Sequence, residues 1–518
     1  MTVLDNLFIA LKNSGITEVP VDILNISSNA ELVVNLIDKI TKGEIKKLDD
    51  VTSFLKENIH TGIQLVTDQS VPADKIIDVQ NDQIKTVTLS EAEMMFKSVI
   101  EEKEEKHKVT SDSSDSVNDK EKIIKNGVVD KTASLWQYKP IPDNEPEPFD
   151  EYKTSQTTNS AVEIIGARVR GKKHKHDGTN CDDWFEYETC DKWSIAAVSD
   201  GAGSKKFSRI GAMESCKAAV SYIKEQLEKM NDDIIVKISK PLNDGAFIEG
   251  CGYLANIIQD AVDKAYCAVE EAFECRKTKY DYLKVIDRDM EFRDFSGTLL
   301  LCIVIPVKIG DQTENFVAAC QIGDGIICSV DRDAPFASAL KLLGDPDGGQ
   351  YAGETDFLTS KSMRCKENLM KKTKIMRGKN SDVLLMTDGV ADDYFPNSPQ
   401  LLRLMLDLEL NGILKTPERI DEKGAASDSI PEPVFYPWVN DNQKLVAVQY
   451  ASKLIDVFNC TLEDLWNNNS LLCLASLETF GTELPEKSSD RLQRWLDNYV
   501  ERGSFDDRTL LIINTSAK

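Results

Sequence analysis

The chain has 518 residues, long enough for two or more domains or one large domain with extensions. Hydrophobic residues make up 41% of it, enough for a sizeable core, and the formal net charge is −25. So acidic a chain repels nucleic-acid phosphates and anionic membrane surfaces, and it is read as binding neither. Its 12 cysteines form no CxxC pair and predict reduced thiols, not a disulfide framework. The opening "MTVLDNLFIALKNSG" lacks a basic stretch before an apolar core, so a cytoplasmic protein is expected. The longest apolar run, "LLLCIVIPV" from Leu299, is about half the length that crosses a bilayer.

In chain order, residues 1–100 carry helix-period patterns. Leu32, Val33, Leu36, Ile37 and Ile40 share one face behind the cap candidates Ser28 and Asn29. This predicts a small helical region that docks a regulatory partner or controls access. Residues 101–160 read as a disordered or extended acidic linker. "EEKEEKHKVTSDSSDSVNDK" is charged and without aromatics, and "KPIPDNEPEPFDEYKTSQTTNS" is rich in proline and acid. From residue 161 to 518 the pattern changes. "VEIIGARV" and "WSIAAV" read as strands. Ile210, Met213, Cys216, Val220, Ile223 and Leu227 recur at helical spacing, as do Leu254, Ile257, Ile258, Ala261, Ala265, Ala268 and Ala272. "TLLLCIVI", "FVAACQI", "GIICSV", "VLLMT" and "TLLIIN" follow as apolar strand candidates. The expected class is α+β, with helices packed on antiparallel sheets.

The strand candidates keep ending on acid. "AAVSDGAGS" places Asp200 and Gly201 after one run, "CQIGDG" places Asp324 after another, and "VLLMTDGVADD" places Asp388 after a third. "RGSFDDRTLLII" sets Asp506 and Asp507 before the last strand, and "NCDDWF" adds Asp182 and Asp183. One Asp-Gly is ordinary turn chemistry. A set of them at strand ends brings several carboxylates to one place, where they repel one another unless a hard cation intervenes. Glycine after aspartate also lets the main chain approach closely enough for a carbonyl to join the ligands.

The ordered set DG(x)G, SGT, GDG, TDG and DD(x)T resembles the metal-dependent type 2C (PPM-type) family of Ser/Thr protein phosphatases, over residues 161–516. The resemblance implies a four-layer α-β-β-α sandwich of two antiparallel sheets flanked by helices. It implies a variable insertion at about 395–485. It also implies two Mg²⁺ or Mn²⁺ ions that activate a water for hydrolysis of a phosphoprotein. Asp200 would bridge both ions, with the Gly201 carbonyl at the first and Asp388 and Asp506 at the second; these aspartates are the catalytic set. Asp182 and Asp183 correspond to an acidic pair that binds metal-held waters, Asp507 lies just outside, and Asp324 matches a third-metal position of some members. Two departures stand out. Many members carry histidine directly after the first Asp-Gly, where this chain has Ala202. The stretch "RVRGKKHKHDGTNCDD" offers Arg170, His174 or His176 for gripping phosphate, with Arg170 and His174 ranked equally. His174, His176, Cys181 and Cys190 match no usual zinc spacing. Lys205, Lys206 and Arg209 either steer phosphate or open an exposed helix. Two rival readings remain: a phosphatase-fold scaffold with little activity, and an enzyme acting on a non-protein phosphoester.

Overall fold

The computed structural model describes residues 138–159, 162–230, 232–286, 288–344, 356–379, 382–417, 430–438, 441–499 and 505–515, with isolated positions before residue 138. The chain divides into two compact units, Met1–Gln64 with Asp68–Gly127, and Leu65–Thr67 with Val128–Lys518. In the first unit, Leu36 and Ile40 are helical and buried, while Leu32, Val33 and Ile37 lie outside the described residues. Strand β1 (Glu18–Pro20) pairs antiparallel with β3 (Thr86–Thr88), so this unit is not purely helical.

The second unit holds two six-stranded sheets. Its strands are β2 (Leu65–Val66), β4 (Tyr152–Thr158), β5 (Glu163–Val169), β6 (Trp184–Cys190), β7 (Trp193–Ser199), β8 (Leu299–Ile309), β9 (Gln312–Ile322), β10 (Ile326–Val330), β11 (Leu340–Leu342), β12 (Thr373–Lys379), β13 (Asp382–Met386) and β16 (Arg508–Asn514). The first sheet runs β11-β10-β13-β16-β5-β4 and the second β2-β12-β9-β8-β7-β6. All these pairings are antiparallel except the short β2–β12 contact. A hairpin, β14 (Val434–Trp438) and β15 (Asp441–Val448), stands apart from both.

Period-2 alternation explains the unbroken apolar runs. On β8, Leu299, Leu301, Ile303 and Ile305 face a core shared with helices α2 (Ser208–Glu228) and α3 (Gly245–Arg276), while Leu300, Cys302 and Val304 face the opposite sheet. On β16, Leu511 and Ile513 join that inter-sheet core, while Leu510 and Ile512 face the helices on the other side. Leu299–Ile305 of β8 and Leu510–Ile513 of β16 are buried on both faces, so these runs are apolar without alternation. The result is helix, sheet, sheet, helix.

Two expectations are corrected. Residues 138–159 are not a linker. Tyr152–Thr158 is an edge strand, paired from Tyr152↔Val169 to Thr158↔Glu163. The residues before it are strapped onto the domain by buried arginines. Arg209 Nη2 donates to Glu145 Oε1 at 3.0 Å and to the Pro146 carbonyl at 2.6 Å, and Arg170 Nη1 donates to Glu151 Oε1 at 2.9 Å. The acids that look solvating in the sequence are the counter-charges of arginines far away in it. The rest of the expected linker, 101–137 and 160, lies outside the described residues. Second, Arg209 is neither an exposed helix start nor held open toward phosphate: it is buried and bonded into this strap.

The segment expected as an insertion contributes a helix (Asn397–Leu410), the β14–β15 hairpin and three short helices, with Trp466 fully buried. Together with the helix Ser488–Asn498 these cover the outer face of the first sheet.

Candidate active site

Both sheets end on the same cluster. Asp200 leaves β7, Asp324 leaves β9 and Asp388 follows β13, and each presents a carboxylate oxygen within 4.8 Å of the others. Asp506 bears electrostatically on both Asp200 and Asp388, so the last strand joins the same cluster. The carboxylates are hard oxygen donors, the ligand class that divalent Mg²⁺ and Mn²⁺ take.

The main chain around Asp200 is held by the residues that lead into β8. The Asp200 N–H donates to Thr298 Oγ1 at 2.8 Å, and Thr298 N–H donates back to the Asp200 carbonyl at 2.8 Å. Ser199 Oγ donates to the Thr298 carbonyl at 2.5 Å, and Ala202 N–H reaches the Ser296 carbonyl at 3.0 Å. The SGT stretch is thus a bracket that fixes the turn carrying Asp200. Two glycines are required by space. A Cβ at Gly201 would sit 2.6 Å from the Asp182 carbonyl, and one at Gly389 would sit 1.9 Å from the Asp507 carbonyl. Gly323, before Asp324, has φ +112°, in the region that favours glycine.

Asp183 is the most buried acid of the site. Its Oδ2 accepts the hydroxyls of Thr387 (2.9 Å) and Thr509 (2.6 Å), while Oδ1 is buried without a hydrogen-bond partner. Burial, then the charge of Asp507, pushes its carboxyl well above the usual range. Burial and the neighbouring Asp388, Asp183, Asp506 and Asp324 do the same to Asp200. Asp388 is pushed up to about 7 by burial and by Asp324 and Asp506, and Asp182 to about 8 by burial and Asp507. Left to themselves, Asp388 and Asp182 hold protons near neutrality. A divalent cation is the natural replacement for those protons, so donor chemistry, the orphaned Asp183 oxygen and the mutual repulsion all fit one.

Asp507 behaves differently. It accepts Gly171 N–H (2.6 Å) and Asp182 N–H (2.6 Å), and His174 Nδ1 lies 2.9 Å from its Oδ2. Burial works against its charge, but His174 and the two amides outweigh it and hold its carboxyl below the usual range. Burial likewise works against a charged His174, and Asp507, Asp182 and Asp506 outweigh it, raising the imidazole to about 9. His174 sits in a short helix, α1 in the order of this domain (Lys172–Asp177), and its Nε2 approaches the Gly203 turn to 4.0 Å of a Cβ placed there.

The sequence-derived candidates therefore divide. Asp200, Gly201, Asp324, Asp388, Asp506, Asp182 and Asp183 are brought to one end of the sandwich, with His174 beside them. Arg170 is buried and spent: Nη1 on Glu151, and Nη2 on the carbonyls of Lys139 (3.0 Å) and His174 (2.8 Å). It braces the loop and is not turned toward the carboxylates. Sequence reasoning passed over Asp392, whose carboxyl is raised by partial burial and by Asp324 and Asp506. Its signal was present: it lies four residues after Asp388 at the start of a helical turn, and such residues share a face. The threonine hydroxyls of Thr387 and Thr509 were missed as well, since nothing in sequence couples them to Asp183.

Residues 170–412 match the family model for protein phosphatase 2C. Over that segment the chain is similar to the protein phosphatase 2C family. No curated protein matches the chain. Among solved structures, the chain is similar to a phosphatase from a pathogenic strain of Toxoplasma gondii, at 9% identity over 70% of this chain and 94% of that one (TM-score 0.33). It is similar to the serine/threonine phosphatase Stp1 of Staphylococcus aureus, at 11% identity over 73% and 98% (TM-score 0.28). It is also similar to the phosphatase domain with a regulatory fragment of SpoIIE from Bacillus subtilis, at 10% over 82% and 92% (TM-score 0.27). At those scores the likenesses add no weight, and the protein phosphatase 2C assignment rests on the family match. Among the described residues, no helix is long and apolar enough to cross a membrane.

Proposed function

We propose that the protein is a Mg²⁺- or Mn²⁺-dependent protein phosphatase that hydrolyses phosphoserine and phosphothreonine. The observation that carries this is the convergence of Asp200, Asp324 and Asp388 from three strand ends onto one point. Asp200 would be shared between two ions, with the Gly201 carbonyl at one and Asp388 and Asp506 at the other. Asp182 and Asp183 would hold waters around them, and Asp324 would serve a third ion. When bound, such ions lower the pKa of water and neutralise phosphoryl charge.

The chain's own part is orientation. The Thr298 bracket aims Asp200, and Thr387 and Thr509 turn the free oxygen of Asp183 into the cluster. The Asp507–His174 pair holds an imidazolium beside the Gly203 turn, where it can meet an anionic substrate. His174 is therefore the better of the two phosphate-contact candidates, because Arg170 is committed elsewhere. The substrate is a phosphorylated protein, and the proposed location is the cytoplasm. The first unit is assigned to a regulatory partner.

A specific observation keeps a second reading, a phosphatase-fold scaffold of low activity. Ala202 and the bonded Arg170 leave the site with fewer phosphate and leaving-group contacts than a strong catalyst uses. One experiment separates the two: phosphate release from p-nitrophenyl phosphate and from a phosphothreonine peptide, with Mn²⁺, with Mg²⁺ and with EDTA. Turnover that needs the metal supports the enzyme. Equal turnover with EDTA ends the metal reading, and no turnover under any condition favours the scaffold.

A further inference from the structure

Asp393 directly follows Asp392 in the turn after β13 and is 1% exposed. Its Oδ2 accepts the Tyr499 hydroxyl at 2.8 Å and lies 3.3 Å from Arg508 Nη2. Arg508 comes immediately after Asp506 and Asp507. Its Nη1 donates to the main-chain oxygens of Leu496 (2.9 Å) and Tyr499 (3.1 Å), and its guanidinium lies 3.9 Å from the centre of the Tyr499 ring. Three pieces of chain meet on this one carboxylate: the turn carrying Asp388, the residues leaving the helix Ser488–Asn498, and the turn carrying Asp506.

The β13–β16 ladder alone does not hold the two turns together. It runs from Val383↔Ile513 to Met386↔Leu510, with a last bond from Thr387 N–H to the Thr509 carbonyl at 3.2 Å. Asp388 and Asp506 both lie beyond it, where the two turns also meet through the Asp183 carboxylate on Thr387 and Thr509 and through the close approach of Gly389 to the Asp507 carbonyl. The Asp393–Arg508 pair is a further side-chain cross-link between the two turns. A buried ion pair is weak evidence for stability, because desolvation offsets most of its attraction and an apolar pair would fill the core as well. What it supplies is direction, since a guanidinium held at fixed angles by a carboxylate, two carbonyls and a ring has one position.

We propose that Asp393 is a positioning residue, which holds the turn bearing Asp506 in register with the turn bearing Asp388 so that both carboxylates face one cation. This rests on the metal-dependent reading above. Asp393 touches neither substrate nor ion and acts through Arg508, as outer partners of metal ligands do.

The test uses the full chain with Asp393→Asn, which keeps the shape and removes the charge. Tyr499→Phe removes a single hydroxyl from the same carboxylate. Three readouts are needed: Mn²⁺ binding by calorimetry, kcat and KM for p-nitrophenyl phosphate across a Mn²⁺ titration, and urea unfolding in EDTA. Asp393→Asn is expected to weaken Mn²⁺ binding about 10-fold. KM at saturating Mn²⁺ stays the same and kcat recovers as Mn²⁺ rises. Tyr499→Phe moves binding in the same direction by a smaller factor. Lower urea stability with wild-type Mn²⁺ affinity in the folded protein would show a merely structural role and overturn the proposal. Should Asp393→Asn fail to fold, wild-type Mn²⁺ affinity in Tyr499→Phe overturns it. Absence of Mn²⁺ binding in the wild type overturns the metal reading itself, and this proposal with it.

Discussion

Asp507 and Asp200 stand at strand ends in opposite sheets, and they answer burial in opposite ways. Asp507 is compensated from within: two main-chain amides and His174 surround its oxygens, and its carboxyl stays below the ordinary range. Asp200 is surrounded by Asp388, Asp183, Asp506 and Asp324, and burial and repulsion push its carboxyl well above that range. The same residue type, after one strand and before another, is a finished ion pair in one case and an unfinished one in the other. The lesson is about where charge balance is completed. A fold that only needed polar strand ends would have completed both internally. Leaving Asp200 and Asp388 without such partners gathers raised carboxyls at one point, where an external cation is the available replacement for their protons.

The largest expected effect tests the unfinished side. Asp388→Asn and Asp506→Asn each keep size and remove a ligand charge, and each is expected to lower metal-dependent turnover by about 100-fold or more. The double variant should be about as inactive as either single one, because both break one unit. Phosphatase kinetics with a Mn²⁺ titration measures this. Near wild-type turnover in either single variant would make these aspartates ordinary turn residues.

The next effect tests the finished side. His174→Ala leaves Asp507 buried without its cation, and breaking a buried pair this way is expected to cost about 3–5 kcal/mol in urea unfolding. The sign with pH is specific. His174 is raised from its ordinary 6.5 to about 9, so its contribution is complete below about 6.5 and is lost as pH rises through 9. The stability gap between wild type and His174→Ala should therefore shrink between those values. A gap independent of pH would mean the histidine serves only by its shape.

A smaller effect contrasts the two sides in one titration. Asp388 and Asp182 are raised to about 7 and about 8, above the values they have unfolded. Between about pH 4 and 8 the native state then holds more protons than the unfolded one, so the metal-free protein loses stability as pH rises through that window. Melting curves in EDTA from pH 5 to 8.5 should fall, and saturating Mn²⁺ should flatten them. Metal-free stability that rises over this range would contradict the raised carboxyls.

The smallest effect concerns Asp183, which belongs partly to both sides. Thr509→Val removes one of its two hydroxyl donors and is expected to cost about 1–2 kcal/mol. Metal affinity should fall with it, because the hydroxyls aim the remaining oxygen. Unchanged Mn²⁺ binding in calorimetry would show that Asp183 is oriented by packing alone.

Much of the second unit could be read before folding. Unbroken apolar runs such as Leu299–Val304 follow from strands buried on both faces, and the stripes of α2 and α3 follow from helical period. The carboxylates at the ends of those runs were legible for the same reason: an acid after a buried strand is costly unless a sheet edge uses it. Local pattern failed where partners are distant. "PDNEPEPFDEY" has the composition of a solvated linker, and only folding brings Arg209 and Arg170 to its glutamates.

What the sequence by itself determined is periodicity and residue type: which strands are two-sided, which helices are one-sided, and that hard oxygen donors sit at strand ends. Those depend on neighbours a few residues away, and burial enforces them locally. What only the tertiary structure decided is pairing. It tied Arg170 to Glu151 and to two carbonyls, paired His174 with a residue 333 positions away, and linked Asp393 to Arg508 across 115. Ion pairs and hydrogen bonds act over a few ångströms. Which charges come that close is set by how the two sheets stack and where their loops return, and no local pattern of residues carries that information.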